Sequence, residues 1–147
     1  MKRARWLVAA AVAAAAATSF GGTAPAKSLL FDYFRMPSGN IHCGYVKVSD
    51  TPTYLRCEIR SRLKPVPPRP KACGDAVWAA GYSLTRFGRP YVLCITDTIF
   101  SPTSRVLTYG STWKRDVFTC TSRSSGLRCV NGAAHGFFLS REHSYRF

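Results

Sequence analysis

The chain lacks an apolar run long enough to cross a bilayer. The one candidate, residues 6–17, is twelve residues, where a spanning helix needs about 20. No two of the six cysteines stand within four residues of each other, so the closely spaced thiolate pairs of structural zinc sites are excluded. The Gly-x-Ser-x-Gly elbow of serine hydrolases and the glycine-rich phosphate cradles are both missing. Asp and Glu together number seven, and no two of them share the apolar setting that glycoside hydrolysis asks of its paired acids. His135 and His143, with Glu142 beside the second, fit no common metal spacing. Neither a metal nor any other cofactor is expected.

What is present begins with an export signal. Lys2, Arg3 and Arg5 precede the apolar run, and Ala24-Pro25-Ala26 supplies the small-x-small pattern read by signal peptidase, with cleavage expected after Ala26. The first cysteine, Cys43, lies far beyond that point, so a lipid-anchored N-terminus is not expected. Residues 27–147 then form one secreted domain, with no integral membrane segment, expected to be a monomer. Residues 1–26 hold three of the 21 basic residues and no acidic one, leaving 18 basic against 7 acidic, a net charge of +11. An excess of this size favours an anionic polymer or an acidic protein surface as partner, through attraction that salt weakens.

The tripeptide Leu-Arg-Cys occurs twice, at Leu55-Arg56-Cys57 and Leu127-Arg128-Cys129, each time with a cysteine a hairpin's length upstream, Cys43 and Cys120. An even cysteine count in an exported chain argues for bridges. Hairpin geometry pairs Cys43 with Cys57 around a turn at residues 49–52, and Cys120 with Cys129 around a four-residue loop at 123–126. Cys73 and Cys94 pair by default. Side-chain alternation agrees: Ile41, Cys43 and Tyr45 share an inward face with Leu55, Cys57 and Ile59, while His42, Arg56, Glu58 and Arg60 point to solvent. Phe118, Cys120, Leu127 and Cys129 repeat the inward set, with Thr119, Thr121 and Arg128 outward. On loop entropy the bridges contribute about 3 kcal/mol each, so reduction is expected to unfold the domain.

Residues 61–71 combine four prolines with Arg62, Lys64, Arg69 and Lys71 and read as an exposed extended connector, or a basic arm. Residues 75–81 have the only helical character, two turns at most. Residues 82–86 and 91–96 flank Phe87-Gly88-Arg89-Pro90 as a third hairpin. Further short strands are read at 105–109 and 136–139. Asn40 and Asn131, beside Gly39 and Gly132, read as turn formers. Roughly seven or eight short strands at close spacing predict an all-β fold, a small antiparallel sandwich or barrel of disulfide-stapled hairpins.

Three ordered stretches resemble an uncharacterised family of small exported bacterial proteins common in actinobacteria, defined only as a domain of unknown function. They are Phe34-Arg35-Met36-Pro37-Ser38-Gly39-Asn40-Ile41-His42-Cys43 with Cys57-Glu58-Ile59, Leu107-Thr108-Tyr109-Gly110-Ser111-Thr112-Trp113 with Phe118-Thr119-Cys120, and His135-Gly136-Phe137-Phe138-Leu139-Ser140-Arg141 with Tyr145 and Phe147. The resemblance implies an exported, cysteine-bonded domain and transfers no catalytic residues. Residues 130–136 depart from the tighter glycine-rich approach expected before the His-Gly-Phe segment.

The functional expectation is a secreted binding domain without catalytic action, with Arg56, Arg60 and Arg128 as binding candidates. The first alternative is a small ribonuclease-like enzyme. Pairing Cys43 with Cys57 sets His42 opposite Glu58, with Arg56 and Arg60 diagonal to them, and a base, a proton donor and phosphate-binding arginines are what RNA transesterification uses. The plainer reading of the same residues is a cross-strand charge ladder. Aromatic residues interleaved with basic ones at Tyr33, Phe34, Arg35 and at Trp113, Lys114, Arg115 suit nucleic acid, although such aromatics more commonly belong to the core. The second alternative is an inhibitor of an extracellular hydrolase, which needs only a rigid scaffold and an exposed loop.

Overall fold

The computed structural model describes residues 29–147; the leader and its cleavage point lie outside the described residues. Eleven strands are found there: β1 (Leu29–Arg35), β2 (Ile41–Val48), β3 (Tyr54–Ile59), β4 (Val77–Thr85), β5 (Tyr91–Ile95), β6 (Arg105–Val106), β7 (Thr112–Arg115), β8 (Phe118–Arg123), β9 (Gly126–Val130), β10 (Gly136–Leu139) and β11 (Ser144–Arg146). The first sheet runs β5-β4-β3-β2-β1-β6, and the second is the meander β11-β10-β9-β8-β7. All pairings are antiparallel except the short β1–β6 contact. The fold is therefore an all-β sandwich, as the strand pattern predicts. β1, β7 and β11, too short or too mixed in pattern to stand out in the sequence, raise the strand number above expectation.

Both hairpins hold the expected register. Cys43 faces Cys57 and Cys120 faces Cys129, each pair with Cα atoms 4.1 Å apart and bridged, and Cys73 is bonded to Cys94. One hairpin belongs to each sheet, so the two Leu-Arg-Cys units meet across the core. The sulfurs of Cys43, Cys57 and Cys129 come within 4.8 Å of one another. All three are already spent in bridges, leaving no thiolate to ligate a metal. Around them the sheets join through Phe34 on Trp113, Tyr45 on Phe118 and Tyr82 on Phe137, with ring centroids 5.0, 6.1 and 5.6 Å apart. Such pairs add about 0.5–1.5 kcal/mol each beyond the area they bury.

Two expectations need correction, and a third gains an anchor. The short helix read over residues 75–81 is instead the start of β4, and the nearest helical element is a 3₁₀ turn, Lys71–Cys73. Two helical turns are unstable alone, whereas pairing of Val77 and Trp78 with β5, the Leu63 N–H on the Ala79 carbonyl and the start of β3 pairing at Gly81 hold this backbone as a strand, with Ala79 at φ 59° and a register shift between Trp78 and Tyr82 absorbing the irregular start. The loop at 123–126 is shorter than read: Arg123 still pairs with Gly126, leaving only Ser124 and Ser125 in the turn. The proline-rich connector is exposed along most of its length but pinned. Leu63 is fully buried and its N–H donates to the Ala79 carbonyl, while the Lys64 carbonyl accepts from Ser144 N–H on β11. The arm thereby closes the open edge between β4 and β11, and its Arg69 lies 4.3 Å above the Trp78 ring.

Asn40 and Asn131 do sit in turns, and each also brackets distant chain. Asn40 exchanges side-chain hydrogen bonds with Ser61. Asn131 donates to the Thr85 and Gly88 carbonyls and accepts from Ala133 and His135 N–H, tying the two sheets at one end.

Candidate functional site: one strapped sheet face and one open face

The chain leaves β5 at one edge of the first sheet and enters β6 at the other, so residues 96–104 must cross the sheet's outer face. They cross directly over His42 and Glu58. The two residues are opposite each other in the β2–β3 register, as predicted, but the expectation that they face solvent is overturned: His42 is 2% exposed and Glu58 0%. The covering segment comes from about 40 residues further along the chain, beyond the reach of hairpin alternation.

Each polar atom of the pair is engaged. Ser101 N–H donates to His42 Nδ1 at 3.3 Å, which leaves the ring proton on Nε2 to be donated to the Gly39 carbonyl at 3.2 Å. The Phe100 ring meets the imidazole edge-on at 4.9 Å. Desolvation lowers the His42 pKa below its ordinary value, opposed by the Gly39 hydrogen bond; Arg60 and Arg35 lower it further, and Glu58 raises it. Glu58 accepts from Thr98 Oγ1 at 2.7 Å and from Ile99 N–H, and Arg56 lies against its other oxygen at 2.5 Å. Arg56 also donates to the Asp97 carboxylate at 3.1 Å and the Asp97 carbonyl at 2.7 Å. Arg60 donates to the Gly39 carbonyl and stacks on Phe100 at 4.2 Å. Chemically this is a clamp: the carboxylate and guanidinium hold the strap's backbone, and the imidazole fixes its far end. Removing one member of a buried ion pair of this kind strands the other and costs about 3–5 kcal/mol.

The remaining candidates fall elsewhere. Phe34 and Trp113 are core residues, 1% and 3% exposed, so the two aromatic-basic stretches form no open platform. Arg128 projects from the outer face of the second sheet, on the far side of the sandwich from Arg56 and Arg60. In register across that face run Tyr145, Phe138, Arg128, Thr121 and Thr112. Lys114 and Arg123 project from the same face, exposed. The ion pairs among the described residues engage Arg56, Arg86 and Arg105; Lys114, Arg123 and Arg128 have no carboxylate partner there. The aromatic part of this face went unread in the sequence, although a signal existed: His143, Tyr145 and Phe147 alternate at the strand period and so project together.

Among the described residues no helix is long and apolar enough to cross a membrane. Fold and surfaces define a class, a small β-sandwich stapled by three disulfides with one outer face strapped and the other open and basic. The chain belongs to the Family of unknown function (DUF6636), which it matches over residues 5–147, in agreement with the resemblance read from its motifs. No curated protein and no solved structure matches it.

Proposed function

We propose that the protein is a secreted, non-enzymatic binding domain whose partner is an anionic polymer, held on the outer face of the second sheet. The observation that carries the reading is the set of exposed, unpaired cations Lys114, Arg123 and Arg128 on strands that project no carboxylate. The acidic residues of this half, Asp116 and Glu142, belong to turns at opposite ends of the sheet, so the face between them has one sign and attracts polyanions at long range. The clamp supports the same reading from the other side. The imidazole and carboxylate that a ribonuclease-like reaction would use are already bonded to Gly39, Ser101, Arg56, Thr98 and Ile99, and the strap would have to lift before either met a substrate. Three disulfides suit an oxidising compartment.

The test is elution from immobilised polyphosphate in a salt gradient. Replacing Lys114, Arg123 and Arg128 together by Ser is expected to abolish most retention, whereas replacing the exposed Lys47, Lys64 and Arg89, an equal loss of charge, is expected to shift it only slightly. Equal shifts for the two variants would show that net charge alone, and no particular face, governs binding. RNA hydrolysis lost in His42→Ala would replace the reading with the enzymatic one.

A further inference from the structure

Beside the cations of the second sheet lies an aromatic layer that no strand of the described residues covers. Phe138 of β10 has its ring centroid 5.3 Å from both His143 and Tyr145, tilted 27° and 24° to them, and the His143 and Tyr145 rings are within 4° of parallel at 6.0 Å. Phe147 follows Tyr145 at 6.1 Å, and the Arg128 guanidinium stands 4.4 Å above the Phe147 ring. The sheet is cut to seat these rings. A Cβ on Gly126 would come within 2.5 Å of both the Leu139 carbonyl and the Phe138 ring, and one on Gly136 would collide with the Cys129 carbonyl and come within 2.7 Å of the Phe147 ring, so both rings lie over bare backbone at positions that the neighbouring strand also restricts to glycine. Aromatic rings grouped on a sheet are ordinarily covered by a second layer. Here His143 is exposed and Tyr145 is 48% exposed, and no element of the described chain packs on them.

We infer that this face is a binding site for single-stranded nucleic acid, with bases stacking on Tyr145, His143 and Phe138 and the phosphates meeting Arg128, Arg123 and Lys114. The inference rests on the polyanion reading above and narrows it by ligand class. A polymer that carries both a negative charge and an open π surface in each short repeat uses the whole face. Single strands carry both, and arginines next to stacking aromatics are the general means of holding them without sequence preference. Polyphosphate has the charge without a ring. Acidic glycans have rings that are saturated and offer no π face. A duplex turns its base faces inward.

Fluorescence anisotropy with two labelled oligomers separates these possibilities: a twenty-residue oligo-dT and an abasic strand of equal length and phosphate number, compared at one salt concentration. The oligo-dT is expected to bind about tenfold or more tightly than the abasic strand, in line with stacking of even one base. In Tyr145→Ala that ratio should fall toward one, and His143→Ala, likewise at an exposed position, should lower it independently, with thermal melting confirming that each variant is folded. Equal binding of both oligomers by the unaltered protein would overturn base stacking and leave the polyanion reading standing. Absence of binding to either would sink both. Tighter binding to a uronic acid polymer of matched charge than to oligo-dT would overturn the inference in favour of a glycan.

Discussion

His42 has an ordinary side chain in a place that favours its neutral form. Its Nδ1 accepts from the Ser101 N–H and its Nε2–H faces the Gly39 carbonyl; burial, Arg60 and Arg35 disfavour a positive ring, against the Gly39 hydrogen bond and Glu58, which favour one. Protonation would turn Nδ1 into a donor aimed at another donor. The unfolded chain titrates this residue near about 6.5, and burial sets the folded value lower. Between the two values the unfolded state binds the extra proton, so this contribution to stability is complete above the unfolded pKa, declines as pH falls below it, and levels off once the folded ring also titrates. The slope cannot exceed about 1.4 kcal/mol per pH unit for one proton. Urea denaturation at pH 7 and pH 5 is expected to show a larger loss for the unaltered protein than for His42→Gln, the other histidines and the carboxylates cancelling in the difference. An identical loss in both would mean that the imidazole titrates freely in the fold. That His42 stands opposite Glu58 was legible from two cysteines and a period of two. Its burial was not, because the atoms that cover it belong to residues 98–101, whose composition marks only a loop.

Among the elements, the two hairpin bridges and the third disulfide stabilise in different ways. Cys73–Cys94 ties the 3₁₀ turn beside the proline arm to β5 and closes 21 residues, against 14 for Cys43–Cys57 and 9 for Cys120–Cys129. Loop entropy alone ranks Cys73–Cys94 as the most stabilising, but the gap between closing 21 and 9 residues is only about 0.7 kcal/mol. Packing opposes that order. All four hairpin cysteines are at most 1% exposed in the centre of the sandwich, while Cys94 is on the surface. Removing two buried sulfurs leaves a void that close-packed rings cannot readily fill. Replacing Cys120 and Cys129 by Ala, or Cys43 and Cys57, is therefore expected to lower Tm more than replacing Cys73 and Cys94, and excess reductant is expected to lower it more than any single pair. The opposite order would make chain constraint, and not packing, the main contribution of these bridges. The sequence carried the hairpins clearly because alternation and turn chemistry are local. It misread residues 75–81 because Ala-rich chain has a helical preference that pairing with β5, more than 15 residues downstream at Val77–Ile95 and Trp78–Cys94, overrides.

At the scale of the whole molecule the excess of positive charge acts on stability and on binding with opposite signs. Twenty-one basic residues stand against seven acidic ones in the chain. Of the acids, Glu58 and Asp97 are committed to Arg56, while Asp116 and Asp32 hold Arg86 and Arg105 in partly exposed pairs, which are worth about 0–1 kcal/mol each. Cations thus outnumber the carboxylates able to offset them, and the folded state brings them closer together than the unfolded chain does, so self-repulsion opposes folding. Screening by salt relieves the repulsion over distances of about 10 Å at 0.1 M and, among the described residues, weakens the Arg56–Asp97, Arg86–Asp116 and Arg105–Asp32 pairs in exchange. Tm is therefore expected to rise by a few degrees between low and moderate NaCl, and to rise less in the variant lacking Lys114, Arg123 and Arg128, where fewer like charges share a face. An anionic polymer added at low salt should raise Tm by binding the folded state alone, and should lose that effect over the same salt range in which NaCl itself becomes stabilising. A Tm that falls with salt would mean that the few ion pairs outweigh the repulsion. A polymer effect that persists undiminished at high salt would show that the open face holds its partner chiefly by contacts other than charge.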